Sequence, residues 1–149
     1  PVATTANTVI SAAVDQPRAD TIHLNVEGYK VVGTRLANEL REHAYGVAID
    51  ASARLLSAQI VGNGRRIDLT YDRPVVAGFE GLFRVFEGGS PVTVSSVTAS
   101  GNVLSLGLQA RVTPGITTVS YGYSKDPAAL WVRDAAGTAV LCFKDFPAN

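Results

Sequence analysis

Two residues near the N-terminus, Asp20 and His23, have the types and spacing of a catalytic base and the carboxylate that orients it. A serine hydroxyl is a poor nucleophile until an imidazole lies within hydrogen-bond distance to take its proton. A carboxylate beside that imidazole fixes its tautomer and stabilises the imidazolium that forms. An Asp three residues before a His is weak evidence by itself, because the same pair also occurs where an Asp or Asn simply begins a helix.

The residues after His23 predict a helix that would hold this pair in place. Asn25 can cap a helix that begins near Val26, and Gly46 can end it. Apolar and small residues share one face at helical spacing, and charged residues mostly occupy the other. The apolar stripe comprises Tyr29, Val32, Gly33, Leu36, Ala37 and Leu40, and the charged face comprises Glu27, Lys30, Arg35, Glu39 and Arg41. We expect the stripe to dock on a partner surface, because a lone helix of this length is marginal in water.

From Leu55 onward the hydrophobic period changes to two, which is typical of strands. Ile67, Leu69 and Tyr71 alternate with polar residues, and turn-forming residues separate such runs about every ten positions. We predict a mainly β fold, an Ig-like antiparallel β-sandwich of about seven or eight strands preceded by one amphipathic helix. The boundary falls between Gly46 and Arg54, which divides the chain into residues 1–46 and 47–149.

The string Asp20-Thr21-Ile22-His23-Leu24-Asn25-Val26-Glu27-Gly28-Tyr29, with the helix after it, resembles the last conserved block of the SGNH, or GDSL-type, hydrolases. The resemblance covers about residues 16 to 43. It implies that residues 1–46 are the C-terminal remnant of an α/β hydrolase domain, on which the final helix packs. It also implies that His23 is the general base of a Ser-His-Asp triad and that Asp20 is its orienting acid.

The other parts of such a site are absent from the sequence. The family's nucleophile lies in a Gly-Asp-Ser block, and the chain has none. Ser90 stands between Gly89 and Pro91 in a turn signal, and Gly62-Asn63-Gly64 has the pattern of a hairpin turn. We therefore expect the chain alone to be inactive and its parent protein to be the esterase. The chain opens on Pro1 without a methionine, and we expect that it has been cut or trimmed.

The second part of the chain, about residues 55 to 146, resembles a bacterial Ig-like repeat of the SwmB type. The matching segments are 69–75, 83–85, 92–97, 118–121 and 132–137, with Phe143 at the end. This resemblance implies spacing, adhesion or glycan contact in an extracellular, cell-surface or virion setting. Similar domains follow SGNH esterases in phage tail proteins.

Aromatic residues of this part could stack on a sugar, but alternation places Tyr71, Tyr121 and Tyr123 on core-facing positions. Trp131, close to Arg133, is the remaining candidate for a ligand contact, for example with a surface polysaccharide. Core packing or a subunit contact is favoured for Trp131 as well.

Composition argues against several other functions. Lys plus Arg and Asp plus Glu number 13 each, and no basic stripe suggests nucleic-acid binding. Cys142 is the single cysteine, so no internal disulfide or cysteine metal site can form, and we expect it to be buried. His23 and His43 are too far apart to suggest a metal site, and we expect no cofactor. No segment approaches the length of about 18–20 apolar residues that a membrane span needs.

Three interpretations remain open. The chain is the C-terminal part of a carbohydrate-directed acetyl esterase, a non-catalytic surface or virion module with a relict hydrolase tail, or an assembly element whose helix packs between copies. Its partner is accordingly an upstream hydrolase segment, a surface polysaccharide, or other copies of the chain in a homo-oligomer.

Overall fold

The computed structural model describes residues 9–46, 52–122 and 131–149, and within these ranges one α-helix precedes ten strands. The predicted mainly β fold, an antiparallel sandwich after a single helix, is confirmed. The helix α1 spans Val26–Tyr45. The strands are β1 (Leu55–Val61), β2 (Arg66–Tyr71), β3 (Val75–Val76), β4 (Phe83–Glu87), β5 (Ser90–Val92), β6 (Val94–Ser100), β7 (Val103–Leu108), β8 (Thr117–Tyr121), β9 (Arg133–Asp134) and β10 (Phe143–Ala148).

The helix begins and ends where the sequence predicts. Asn25 is its N-cap, and the Asn25 side-chain oxygen accepts a hydrogen bond from the Gly28 N–H at 2.9 Å. Gly46 ends the helix with a left-handed backbone (φ 65°), and its N–H donates to the Glu42 carbonyl.

Two four-stranded antiparallel sheets form the sandwich, with strand orders β1-β2-β7-β6 and β10-β8-β4-β5, and β3 pairs with β9 beside them. The two sheets are joined where β1 meets the residue after β10. The Ile60 N–H donates to the Asn149 carbonyl, and the Asn149 N–H donates to the Ala58 carbonyl. The strand count exceeds the prediction because β3 and β9 have only two residues each, too few to give a periodic pattern.

The first hairpin, between β1 and β2, turns at Gly62-Asn63-Gly64 as predicted. All three residues have positive φ, and Asn tolerates the left-handed region better than most residues. Gly88 and Gly89, both with positive φ, form the β4–β5 turn, and Ser90 begins β5 directly after it.

Two of the predicted strands are displaced. The runs placed at 130–132 and 140–143 give way to β9, which begins at Arg133, and β10, which begins at Phe143. Val132 instead donates its N–H to the Tyr121 hydroxyl at 3.0 Å and accepts from the Val140 N–H. Val132 and Val140 are buried without joining a strand ladder, and Leu130 lies outside the described residues.

The core lies between the two sheets, where alternate residues face inward. Tyr71 and Tyr121 are buried, as the alternation predicts. The Tyr121 ring contacts Phe83, Trp131 and Phe143, with ring centroids 4.9, 6.0 and 5.8 Å away. Burial raises the pKa of both tyrosines.

The proposed division between residues 46 and 47 stays a prediction, and residues 47–51 lie outside the described residues, as does Tyr123. The N-terminal segment is nevertheless in contact with the sandwich. Ala12 is part of the main hydrophobic core, and Val14 packs against it.

Candidate active site

Asp20 and His23 are joined directly in a short loop before α1. The Asp20 Oδ2 atom lies 2.7 Å from Nδ1 of His23. Its other oxygen, Oδ1, accepts the backbone N–H groups of Ile22 at 2.8 Å and His23 at 2.7 Å. The Asp20 carboxylate therefore fixes both the imidazole and the backbone that carries it.

These contacts also determine which ring nitrogen carries the proton. The hydrogen bond from His23, followed by the two backbone N–H groups, holds the pKa of Asp20 below its usual value, so the carboxylate is ionised at neutral pH. An ionised carboxylate only accepts hydrogen bonds, so Nδ1 of a neutral His23 must carry the hydrogen. The lone pair of Nε2 is then free to accept a proton, as a general base requires.

The pair is open to solvent. The side chain of His23 is 62% exposed and that of Asp20 is 53% exposed. Water weakens an exposed electrostatic contact, so the loop orients the imidazole as a base but does not shield it from solvent. Within the described part of the chain, no hydroxyl forms a hydrogen bond with the His23 ring.

A small hairpin of backbone hydrogen bonds holds the loop against the helix. The Ala19 N–H donates to the His23 carbonyl at 2.9 Å, and the Asn25 N–H donates to the Pro17 carbonyl at 3.0 Å. Gly28 allows this approach, since a Cβ at that position would lie 2.8 Å from the Pro17 carbonyl oxygen. Glycine at position 28 therefore lets the loop pack close against the start of the helix. Helical periodicity alone does not predict this role.

The helix packs against the rest of the protein through the charged residues Arg35 and Glu39. The prediction that the helix docks through its apolar stripe is therefore wrong for the described residues. Both charged residues are buried, whereas the predicted stripe is largely open, with Tyr29 57% and Leu40 53% exposed. Arg35 forms a bidentate pair with the buried Asp15, with N···O distances of 2.7 and 3.0 Å. Glu39 accepts the Ser52 N–H at 2.7 Å and Nη2 of Arg54 at 2.6 Å.

The stripe thus does not dock on the sandwich among the described residues. The partners of the buried charges lie 13 to 20 positions away in the sequence, so a single-helix pattern could not reveal them. An open hollow at the Asp20–His23 loop is lined by Ala13, Val14, Arg18, Thr21, Ile22 and Leu24.

The two candidate ligand contacts, Trp131 and Arg133, are not presented to solvent together. Trp131 is 3% exposed and packs edge-on against Tyr121, which favours the core-packing alternative. Arg133 donates from Nη1 to Oδ2 of Asp15 and to the Gly137 carbonyl, both at 2.7 Å. A ligand contact by either residue stays a prediction.

The remaining titratable candidates are placed as follows. His43 is exposed in the last turn of α1. Cys142 is exposed as a residue, so the prediction of a buried cysteine is wrong, although its sulfur lies against Gly122 and desolvation raises the pKa of the thiol to about 11. The described residues contain no cluster of three or more His, Cys, Asp or Glu that could hold a metal ion.

None of the helices in the described ranges has the length and apolar character needed to cross a membrane.

Comparison with known proteins gives a structural likeness. No family model matches the chain, and no curated protein matches it. The crystal structure of a carbohydrate acetylesterase from Xanthomonas citri is similar in fold, with a TM-score of 0.62 and 22% sequence identity. The alignment covers 86% of this chain and 29% of that one, so the chain spans less than a third of the length of this structural neighbour.

Proposed function

We propose that the chain is the C-terminal portion of a carbohydrate-directed SGNH-type esterase that hydrolyses acetyl esters with a Ser-His-Asp triad. Asp20 and His23 are two members of that triad. The serine and the oxyanion hole come from a hydrolase segment that precedes this one in the parent protein. The β-sandwich is the accessory part of the enzyme, and the chain by itself has no esterase activity.

The observation that carries this proposal is the 2.7 Å contact between Oδ2 of Asp20 and Nδ1 of His23. It leaves Nε2 to take the proton of a serine hydroxyl during attack on the acetyl carbonyl and then to return it to the sugar oxygen that leaves. Asp20, held ionised by its hydrogen bonds, stabilises the imidazolium that exists between these two proton transfers.

The exposed stripe supports a missing hydrolase segment. The apolar side chains of Tyr29, Leu36 and Leu40 face solvent on the helix that follows the Asp20–His23 loop. Ile22, 76% exposed, lies between Asp20 and His23 themselves. A segment that covers this surface would exclude water from the pair and strengthen its electrostatic interactions.

The structural neighbour is consistent with this class of substrate. It is a carbohydrate acetylesterase, and it is long enough to contain a further segment of more than twice the length of this chain. We propose that the substrate of the parent protein is an acetylated polysaccharide and that the protein is extracellular or lies at the cell surface.

The test is hydrolysis of para-nitrophenyl acetate and of an acetylated polysaccharide by the longer parent polypeptide. His23→Ala is expected to lower kcat by at least about 10³-fold, since the serine then has no base. His43→Ala, at the exposed end of the same helix, is the matched control and should leave kcat unchanged. Full activity in His23→Ala would exclude the proposed triad.

The alternative is a non-catalytic surface or virion module that oligomerises through α1, and the open stripe favours it equally. Light scattering of the chain, compared with a Leu36→Lys and Leu40→Lys double variant, separates the two. A wild-type oligomer that becomes a monomer in the double variant supports assembly through the helix. A monomer in both cases rules that assembly out.

A further inference from the structure

Asp15 lies where the N-terminal loop, the helix and the sandwich meet. Its side chain is fully buried and accepts hydrogen bonds from two guanidinium groups, a bidentate pair from Arg35 and one bond from Arg133. Arg35 belongs to α1, and Arg133 begins β9, 118 positions further along the chain than Asp15. The carboxylate thus connects the loop-and-helix unit to the sandwich.

Arg133 is itself fixed within the sandwich. It pairs with Val76 of β3 in the small β3–β9 sheet and forms an isolated bridge with Ala139. Its Nη1 atom, which reaches Asp15, also donates to the Gly137 carbonyl at 2.7 Å. The guanidinium of Arg133 is therefore held in place independently of Asp15. Because the group is planar and pre-organised, little side-chain entropy is lost when it binds the carboxylate.

From Asp15 to the Asp20–His23 pair the chain is short, and backbone hydrogen bonds hold it at several positions. Gln16 is buried, the Pro17 carbonyl accepts the Asn25 N–H, and the Ala19 N–H donates to the His23 carbonyl. A displacement of Asp15 therefore moves the base of this hairpin and, with it, the imidazole.

The helix has an attachment of its own, which separates two effects. Glu39 accepts hydrogen bonds from Ser52 and Arg54, which lie just before β1 of the sandwich. Removal of the Arg133 charge would leave this attachment and the Asp15–Arg35 pair in place. The chain would stay folded, and the base of the loop would lose its link to β9.

We propose that Arg133 is a positioning residue, which sets the placement of the Asp20–His23 loop through Asp15. The sandwich then contributes to catalysis by orienting the base, and it is not a freely moving appendage. This inference rests on the proposed function, because it gives the loop a partner serine to be aligned with. A misplacement of about 1 Å in a catalytic group can lower a rate by about 10²-fold.

The first experiment is amide hydrogen exchange on the 149-residue chain with Arg133→Gln, Arg133→Lys and the control Arg65→Gln. Arg65 is exposed, and its side chain donates to the Gln109 carbonyl beside the first hairpin, away from Asp15. In Arg133→Gln we expect exchange at the Ala19 and Asn25 amides to rise at least about fivefold, while the amides of β2 and β7 keep their protection. Arg133→Lys should restore much of the protection, and Arg65→Gln should change none of it.

The second experiment measures kcat and KM in the parent polypeptide. Arg133→Gln should lower kcat by about tenfold or more with KM nearly unchanged, and Arg133→Lys should recover part of it. Unchanged exchange at Ala19 and Asn25 in a folded Arg133→Gln, or an unchanged kcat in an active esterase, would overturn the positioning role. If Arg133→Gln frees the loop but the parent hydrolyses no acetyl ester, the physical link is supported and the proposed function fails by itself.

Discussion

The Asp15 carboxylate and the Arg35 guanidinium form a bidentate ion pair inside the protein, with both carboxylate oxygens in use. The pair anchors α1 by its charged face and leaves the apolar stripe outward. Arg133 completes the site with a second guanidinium. A buried charge so fully partnered holds its neighbours in one arrangement, because each lost contact would strand a charge away from water.

Asp15→Asn tests the strength of this anchor. The amide cannot accept from both guanidinium groups as the carboxylate does, and Arg35 would remain buried with weaker partners. We expect the free energy of unfolding to fall by about 3 kcal/mol, as measured by urea denaturation. Lys144→Gln, which removes a 3.9 Å surface pair with Asp145, is the control and should cost less than about 0.5 kcal/mol. Equal losses in the two variants would contradict the account.

The same carboxylate predicts a dependence of stability on pH. Burial alone would raise the pKa of Asp15, but the hydrogen bonds from Arg35, Gln16 and Arg133 and the Arg35 charge lower it from 3.8 to about 2. Because this folded-state pKa lies below the unfolded value, the stabilisation is complete above about pH 4 and is lost as pH falls toward 2. The stabilisation from the lowered pKa of Asp15 amounts to about 2 kcal/mol. Urea midpoints between about pH 5 and pH 2.5 should show a steeper acid loss in the wild type than in Asp15→Asn, and parallel curves would disprove it.

Two glycines of α1 should respond oppositely to the same substitution. At Gly28 a Cβ would lie 2.8 Å from the Pro17 carbonyl oxygen, whereas at Gly33 nothing lies within 4 Å. Gly33→Ala should raise the free energy of unfolding by about 0.5–1 kcal/mol, through helix propensity alone. Gly28→Ala should lower it by about 1–3 kcal/mol, since the loop must shift. Thermal unfolding of both variants provides the comparison, and a gain at Gly28 would show that the loop does not close there.

The exposed stripe should be insensitive to polar substitution in this chain. Leu40 is 53% exposed, so Leu40→Gln should change the free energy of unfolding by less than about 0.5 kcal/mol. Leu106, fully buried in β7, is the contrasting position, and Leu106→Ala should cost about 2–5 kcal/mol. A large loss in Leu40→Gln at low protein concentration would mean that part of the same chain covers the stripe.

The sequence predicts the local features of the fold well. Asn25 and Gly46 bound the helix, and Gly62-Asn63-Gly64 bounds the first hairpin, because caps and turns depend on residues that are adjacent in the chain. The Asp20–His23 contact also lies within one loop, so its spacing was visible from the start.

The attachment of the helix could not be predicted in the same way. Arg35 and Glu39 look like residues of a solvated face until Asp15, Ser52 and Arg54 are placed beside them. Periodicity reports which residues share a face of a helix, and it does not report which face the rest of the chain meets. The sequence offers Arg133 as a candidate ligand contact, and no local pattern can reveal its link to Asp15 across 118 positions.

The proposed function requires that Asp20 hold His23 with its proton on Nδ1 and with Nε2 free. The most direct test is the nitrogen-15 NMR spectrum of the His23 ring in the neutral state, recorded for the wild type and for Asp20→Asn. We predict that the neutral wild-type ring is mainly the Nδ1–H tautomer and that this preference is lost in Asp20→Asn. A wild-type ring that is mainly protonated on Nε2 at neutral charge would contradict the account, because such an imidazole could not take a proton from a serine.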